Sequence, residues 1–337
     1  MRTSFLPFHC PDITDSDIEA VARTMRSGWL TTGPQSEQFE KEFADYVGAS
    51  HAVSVNSGTA ALHLALEAIG VGNGDEVIVP TMTFAATAEV VEYTGAIPVL
   101  VDCLSDRLTI DPAATANAVT PRTKAIIPMH YGGHPCDMDA LLELADAHAI
   151  HVIEDAAHAL PTSFRGQRIG SLSEFTCFSF YATKTITSGE GGMITMENSD
   201  LARRMRQMRL HGIDHAPEHG APWQYQISGK GFKYNLSDIS AALGLSQLRR
   251  CDSMWRRRSA IAHTYDKSFR DISAIGVPAR TTHAEPSWHL YTLRLTHDQL
   301  AISRDEFIQQ LATAQIGTSV HYRPLHQHPK YVQNSKY

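Results

Sequence analysis

His151-Val152-Ile153-Glu154-Asp155-Ala156-Ala157-His158, followed by Phe175-Thr176-Cys177-Phe178-Ser179-Phe180-Tyr181-Ala182-Thr183-Lys184, decides the fold. Each stretch begins as a short apolar run and ends in an ionisable side chain. A strand buried on both faces reads as a continuous run, whereas a half-exposed one alternates. The end of such a strand is where an open α/β sheet meets its ligand. Asp155 also has a plainer reading, as the cap of a following helix, and Lys184 one as a solvated surface lysine. Burying an ammonium is expensive, however, and a lysine so placed has its pKa lowered easily. That suits it to Schiff-base chemistry.

Working outward, strands are expected at His51–Val55, Glu76–Val79, Ile97–Val101, Ala125–Pro128, His151–Ile153 and Phe175–Phe180. Helices are expected at Thr59–Ile69, at Phe84–Tyr93, and around Leu141, Leu142 and Leu144. This alternation predicts an α/β fold: a mainly parallel central sheet with helices on both faces. Upstream, Thr14 and Asp17 form an N-cap pair for a helix ended by Gly28. The loop Gly28–Pro34 leads into a second helix through Phe39, Phe43 and Val47. After Gly191-Gly192 the pattern changes to a basic helix over Leu201–Leu210 and a Gly/Pro/His loop from His211 to Pro222. One long helix then runs from Ser237 through Leu248 and Trp255. A strand near His289–Leu295, a helix near Asp305–Ala314 and a strand at Thr318–Val320 complete the chain. A large domain over 1–250 and a smaller C-terminal α+β domain over 251–337 are expected.

The 337 residues are 43% hydrophobic and 19% charged, ordinary for a globular chain that buries a large core. Twenty-nine Lys and Arg against thirty-six Asp and Glu leave a charge of −7, without the basic field of a nucleic-acid binder. The five cysteines are scattered and form no C-x-x-C pair, which argues against a zinc knuckle or a disulfide scaffold. No apolar run approaches membrane-spanning length, and the start of the chain has no signal-peptide pattern. A cytoplasmic protein that binds no membrane, nucleic acid or metal is expected.

Asn56-Ser57-Gly58-Thr59 sits between a strand and a helix. The glycine allows close backbone approach, and the free amides of the helix make a phosphate cup. With Asp155 and Lys184 it supplies an anion site, a carboxylate and an amine, the three functions that pyridoxal phosphate requires. Phe84 offers an aromatic face for its ring. Gly189-Glu190-Gly191-Gly192 lets backbone pass close to whatever Lys184 reaches. Three patterns carry less. Gly70-Val71-Gly72-Asn73-Gly74 follows a helix and precedes a strand, the reverse of a dinucleotide fingerprint. His211, His215 and His219 have metal-like spacing, but Gly212 and Pro217 interrupt the helix it needs. Arg256-Arg257-Arg258 reads as a solvated helix face, or near an interface as a partner for an anionic nucleotide.

These motifs, together with Gly28-Trp29-Leu30-Thr31-Thr32-Gly33-Pro34, Tyr234-Asn235-Leu236-Ser237-Asp238 and Gly317-Thr318-Ser319-Val320-His321-Tyr322, resemble the DegT/DnrJ/EryC1/StrS family of nucleotide-sugar aminotransferases nearly end to end. The resemblance implies a fold-type-I pyridoxal-phosphate enzyme, a homodimer with its active site at the subunit interface. By matched motif, Lys184 forms the Schiff base and Asp155 faces the pyridinium nitrogen. Gly58, Thr59 and Ser179 hold the phosphate, and Phe84 stacks on the ring. Asn235 reaches the phosphate of the neighbouring subunit's cofactor, and His158 lies near the ring face or its hydroxyl. It also implies a nucleotide-linked ketosugar as acceptor and an amino-acid donor, glutamate. A sugar dehydratase of the same fold is disfavoured because Lys184 is present where histidine replaces it in the known departure. A non-catalytic regulator is disfavoured because Lys184, Asp155 and Ser179 are all intact. Relatives continue beyond Pro324-Leu325-His326 with a further strand and helix, so the smaller domain is expected to be incomplete at Ser335-Lys336-Tyr337.

Overall fold

The computed structural model describes residues 3–215 and 224–332. Helices α1 (Asp15–Ser27) and α2 (Pro34–Val47) lead into β1 (His51–Val55) and α3 (Gly58–Ala68). Next come β2 (Glu76–Pro80), α4 (Ala85–Tyr93), β3 (Ile97–Val101), α5 (Pro112–Ala118), β4 (Thr123–Ile126), α6 (Met138–His148) and β5 (His151–Asp155). A short hairpin, β6 (Ser163–Phe164) and β7 (Gln167–Arg168), precedes β8 (Phe175–Ser179), β9 (Gly192–Met196) and α7 (Ser199–Met208). The central sheet has seven strands in the order β1-β9-β8-β5-β4-β2-β3. Only β9 runs against its neighbours in this sheet, so the sheet is mainly parallel as expected.

Alternation along the strands divides the core between the two faces. Val53, Ile153, Phe175, Cys177 and Ile194 pack with α3, α4 and α7 on one side. Phe178 and Met193 meet Phe39 and Phe43 of α2 on the other, and Val152 meets Leu141 of α6. Helix α3 is buried along almost its whole length, which explains why its sequence is apolar all round. Because side chains alternate with a period of two, Asp155 and Ser179 fall on the face of Ile153 and Cys177, toward α3 and α4.

Four readings of the sequence need correction. Strand β9 was hidden by its Gly192 start and its methionines. The helix expected from Ser237 through Trp255 is two, α8 (Asp238–Leu248) and α9 (Cys251–Phe269). The turn between them is held by Arg250, whose guanidinium reaches back to Asp12 and Asp17 at 2.8 Å each. The strand expected at His289–Leu295 shrinks to Arg294–Leu295, because the backbone before it is committed to a loop. There the Leu290 amide donates to Gly132 O at 3.1 Å and the Ser287 amide to Gly133 O at 3.2 Å. Thr318–Val320 forms no strand; its side chains are exposed and it has no ladder partner among the described residues.

The C-terminal part also holds α10 (Arg304–Thr313), close to expectation, and α11 (Pro329–Val332). The first and last described segments both pack onto the body of the chain. Leu6 bridges Ile316, while Leu325 and Tyr331 join the α3–α4 core. No described helix is long and apolar enough to cross a membrane.

Candidate active site

The candidate phosphate cup begins at Ser57, whose Oγ accepts from the Ala60 amide at 3.0 Å and caps α3. Gly58, the first residue of the helix, lies against β8: a Cβ there would be 2.9 Å from Ser179 Cβ. Gly192 permits a second close approach, since a Cβ on it would be 2.5 Å from Ser57 O. The positive end of α3 and the side chain of Ser179 therefore share one corner at the C-terminal edge of the sheet. A helix start of this kind favours an anion.

Asp155 ends β5 one strand away and is buried. Its Oδ2 accepts from Thr87 Oγ1 at 2.8 Å and its Oδ1 from the Ala157 amide at 3.1 Å. Burial raises its pKa, although these two donors, Lys184 and His130 act in the opposite direction. Glu154 faces the other side of the strand, where His130 Nε2 (2.8 Å), Ser173 Oγ (2.7 Å) and Thr176 Oγ1 (2.9 Å) donate to it. The Cys136 amide donates to His130 Nδ1 at 3.1 Å, so Nε2 carries the imidazole proton given to Glu154.

Lys184 follows β8 on the turn that starts at Tyr181. Burial lowers its pKa to about 8, with Asp155 acting the other way. The lysine is therefore not the solvated surface residue of the plainer reading.

His158 is buried, and its pKa is held well below the ordinary value, first by burial and then by the charge of Lys184. The Gly132 amide donates to its Nδ1 at 3.2 Å, so Nε2 carries the proton and meets Tyr322 Oη at 3.1 Å. The Tyr322 ring lies 6.1 Å from that of Phe84, which is exposed at the start of α4. His289 packs on His158 with ring centroids 4.3 Å apart.

Asn235 lies at the rim. It bridges Val55, and its Nδ2 donates to Thr32 Oγ1 at 2.8 Å. Asp238 holds the Thr32 loop from below, its carboxylate accepting from the amides of Gly33, Gln35 and Ser36 at 2.8–3.0 Å. That carboxylate caps α2 from a distant part of the chain.

Gly58, Thr59, Ser179, Asp155, Lys184, His158 and Phe84 thus belong to one region. Thr87 and Tyr322 are the members that motif reading left without roles. The i, i+4 spacing of Thr83 and Thr87 at a helix start was the available signal for the first.

A sequence model of the DegT/DnrJ/EryC1/StrS aminotransferase family matches residues 11–337. The chain belongs to this family. It is 46% identical over 341 residues to the spore coat polysaccharide biosynthesis protein SpsC of Bacillus subtilis, covering 100% of this chain and 88% of SpsC. The putative sugar aminotransferase Spr1654 of Streptococcus pneumoniae, solved in its PLP form, superposes with a TM-score of 0.90 at 37% identity, covering 98% of this chain and 88% of that one. PseC of Helicobacter pylori, an aminotransferase involved in the biosynthesis of pseudoaminic acid, gives 0.93 at 27% identity, covering 99% and 89%.

The aminotransferase has the groups that pyridoxal phosphate needs. Gly58 and Gly192 let the start of α3 approach Ser179 and β9 closely, which brings the free amides of a helix start beside the Ser179 hydroxyl. The buried carboxylate of Asp155 is suited to a ring cation, and Lys184 is a lysine of lowered pKa. Among the described residues no three or more His, Cys, Asp or Glu are grouped to hold a metal. His219 lies outside the described residues. Gly70–Gly74 joins α3 to β2 as a turn. Of the arginine run, Arg256 and Arg257 are exposed, but Arg258 turns inward to the carbonyls of Trp288 (3.3 Å) and His289 (3.4 Å).

Proposed function

We propose that this pyridoxal-phosphate-dependent sugar aminotransferase takes its amino group from glutamate and places it on a keto carbon of a nucleotide-linked sugar. The convergence of Lys184, Asp155 and the Gly58–Ser179 cup at one sheet edge carries the reading. Lys184 would hold the cofactor covalently and Asp155 would pair with its ring nitrogen. Gly58, Thr59 and Ser179 would take the phosphate and Phe84 would cover the ring, with His158 by the ring face or its hydroxyl. When bound, pyridoxal phosphate supplies an aldehyde for the amine and a ring that takes up the electrons released at the neighbouring carbon.

The chain's own groups do the rest. The lowered pKa of Lys184 makes its amine available as a nucleophile near neutral pH. With the cofactor bound, the Lys184 amine would serve as the group that accepts and returns a proton at the reacting carbon, as base and then acid. Asp155 keeps the ring nitrogen protonated throughout. The net charge of −7 disfavours an anionic nucleotide in bulk, so local arginines and amides have to receive it.

A homodimer completes the site. Trp29, Phe84 and Tyr181 are large, exposed apolar side chains, which supports a partner surface at the rim. Asn235 then reaches the phosphate in the neighbouring subunit. The division near residue 250 falls at the α8–α9 break, and the enzyme works in the cytoplasm.

The test is a panel of nucleotide-linked ketosugars assayed with glutamate. An aminosugar product that depends on glutamate and disappears in Lys184→Ala supports the reading. A dehydrated product, or turnover that survives the substitution, contradicts it.

A further inference from the structure

The strand alone does not fix the orientation of Asp155. One oxygen is held by the Ala157 amide and the other by Thr87 Oγ1, at 3.1 and 2.8 Å. Thr87 lies in the first turn of α4, three residues after Phe84. Its single hydroxyl proton goes to the carboxylate, so its oxygen is left to accept. Thr83 Oγ1 lies 2.6 Å away and is the donor of this pair whenever Thr87 gives its proton to Asp155. Thr83 and Thr87 are 1% and 0% exposed, so water does not compete for either hydroxyl.

With an unprotonated acceptor at Oδ2, the donors run from Thr83 to Thr87 to Asp155 and each hydroxyl proton is used once. We propose that Thr83 and Thr87 are positioning residues, a buried hydroxyl relay that keeps Asp155 ionised and aimed at a ring cation in the site. The inference rests on the reading of Asp155 as the partner of the cofactor's ring nitrogen. It adds that the start of α4 serves that cofactor twice, with Phe84 over the ring and Thr87 behind the carboxylate.

The other groups facing Asp155 do not replace the relay. Lys184, from the turn after β8, and His130, from the turn after β4, both favour the charged carboxylate. Lys184 is committed to the cofactor, and the Nε2 proton of His130 to Glu154. Cys177 of β8, Cys136 and Tyr322 also lie within its field, and burial raises the pKa of each, keeping them neutral. Without Thr87, Oδ2 loses its side-chain donor in a site where burial already favours the protonated acid.

The test uses the full-length protein stripped of cofactor and titrated with pyridoxal phosphate by visible absorbance from pH 5.5 to 9. Thr87→Val removes the hydroxyl and keeps the branched shape, Thr87→Ser restores it, and Thr83→Val removes only the outer donor. A hydrogen bond to a charged group corresponds to about one to two powers of ten. Thr87→Val should therefore bind about tenfold more weakly at pH 7, with the acid limb of its pH–affinity profile about one pH unit higher. Thr83→Val should move the limb the same way by less, and Thr87→Ser should return it to the wild-type position. A purely structural cap on α4 would lower the melting temperature and leave the limb and the affinity at wild type, which overturns the proposal. If Thr87→Val does not fold, an unmoved limb in Thr83→Val overturns it equally. A wild-type protein that takes up no pyridoxal phosphate would overturn the reading of the site instead, so the two failures are distinct.

Discussion

Replacing Gly58 with alanine probes the corner on which the phosphate cup depends. At the start of an ordinary helix, glycine to alanine gains about 0.5–1 kcal/mol, because the unfolded chain loses less entropy. At Gly58 the new Cβ would be 2.9 Å from Ser179 Cβ and 3.4 Å from Ser179 Cα and Oγ. Carbon atoms prefer about 3.5–4.0 Å, so the closest contact lies well inside the repulsive wall. Overpacking of this kind costs about 1–3 kcal/mol, and it outweighs the propensity gain. The net expectation is a loss of about 1–2 kcal/mol, read as a fall in melting temperature. Relief comes by moving the start of α3 away from β8, which opens the cup, so pyridoxal phosphate should bind at least about tenfold more weakly. The double variant Gly58→Ala/Ser179→Gly removes the offending carbon and should recover part of the melting temperature, the glycine within β8 costing about 0.5–1 kcal/mol. It should not recover full affinity, because the Ser179 hydroxyl is gone. A Gly58→Ala protein as stable as wild type, with unchanged cofactor affinity, would refute the close approach.

Two further outcomes test the scaffold and the amine. Glu40 is buried, and its carboxylate accepts from the Ser54 amide at 3.0 Å, from Arg206 at 3.1 Å and from Arg209. Glu40→Gln should cost about 3–5 kcal/mol in chemical denaturation at pH 7, because Arg209 is left without its counter-charge. Burial by itself would raise the pKa of Glu40, but the two arginines hold it below the ordinary value. Its contribution is therefore present above the ordinary carboxylate range and lost as pH falls through the lowered folded value, and Glu40→Gln should flatten that part of the stability–pH curve. For Lys184, the rate of cofactor capture should rise with pH around a midpoint near 8, and Asp155→Asn should move that midpoint down, because the Asp155 charge raises it. Stopped-flow absorbance reads both, and a midpoint near the ordinary lysine value would contradict the burial of the amine.

The parallel strands were legible because burial on both faces leaves a continuous apolar signature in each one. Glu154-Asp155 and Ser179 stand at the ends of such runs, so the sheet edge that carries the candidate site is legible in the sequence. Strand β9 was not legible: it starts on Gly192, and its antiparallel course gives no helix between it and β8. The α8–α9 break is set by Arg250 reaching Asp12 and Asp17, contacts made across more than two hundred residues of chain. Thr318–Val320 has the composition of a strand, but no neighbouring strand is available to pair with it. The roles of Thr87 and Tyr322 depend on which partners the fold brings to Asp155 and His158, and local sequence does not encode that. Asp238 stands inside the Tyr234–Asp238 motif, yet its carboxylate organises the start of α2, a role that local sequence does not encode.

The assignment of Lys184 is tested most directly by borohydride reduction of the wild-type protein with pyridoxal phosphate, followed by peptide mass spectrometry. Lys184 should carry the reduced pyridoxyl phosphate, at one group per chain. A label on another lysine, or none at all, would contradict the central claim.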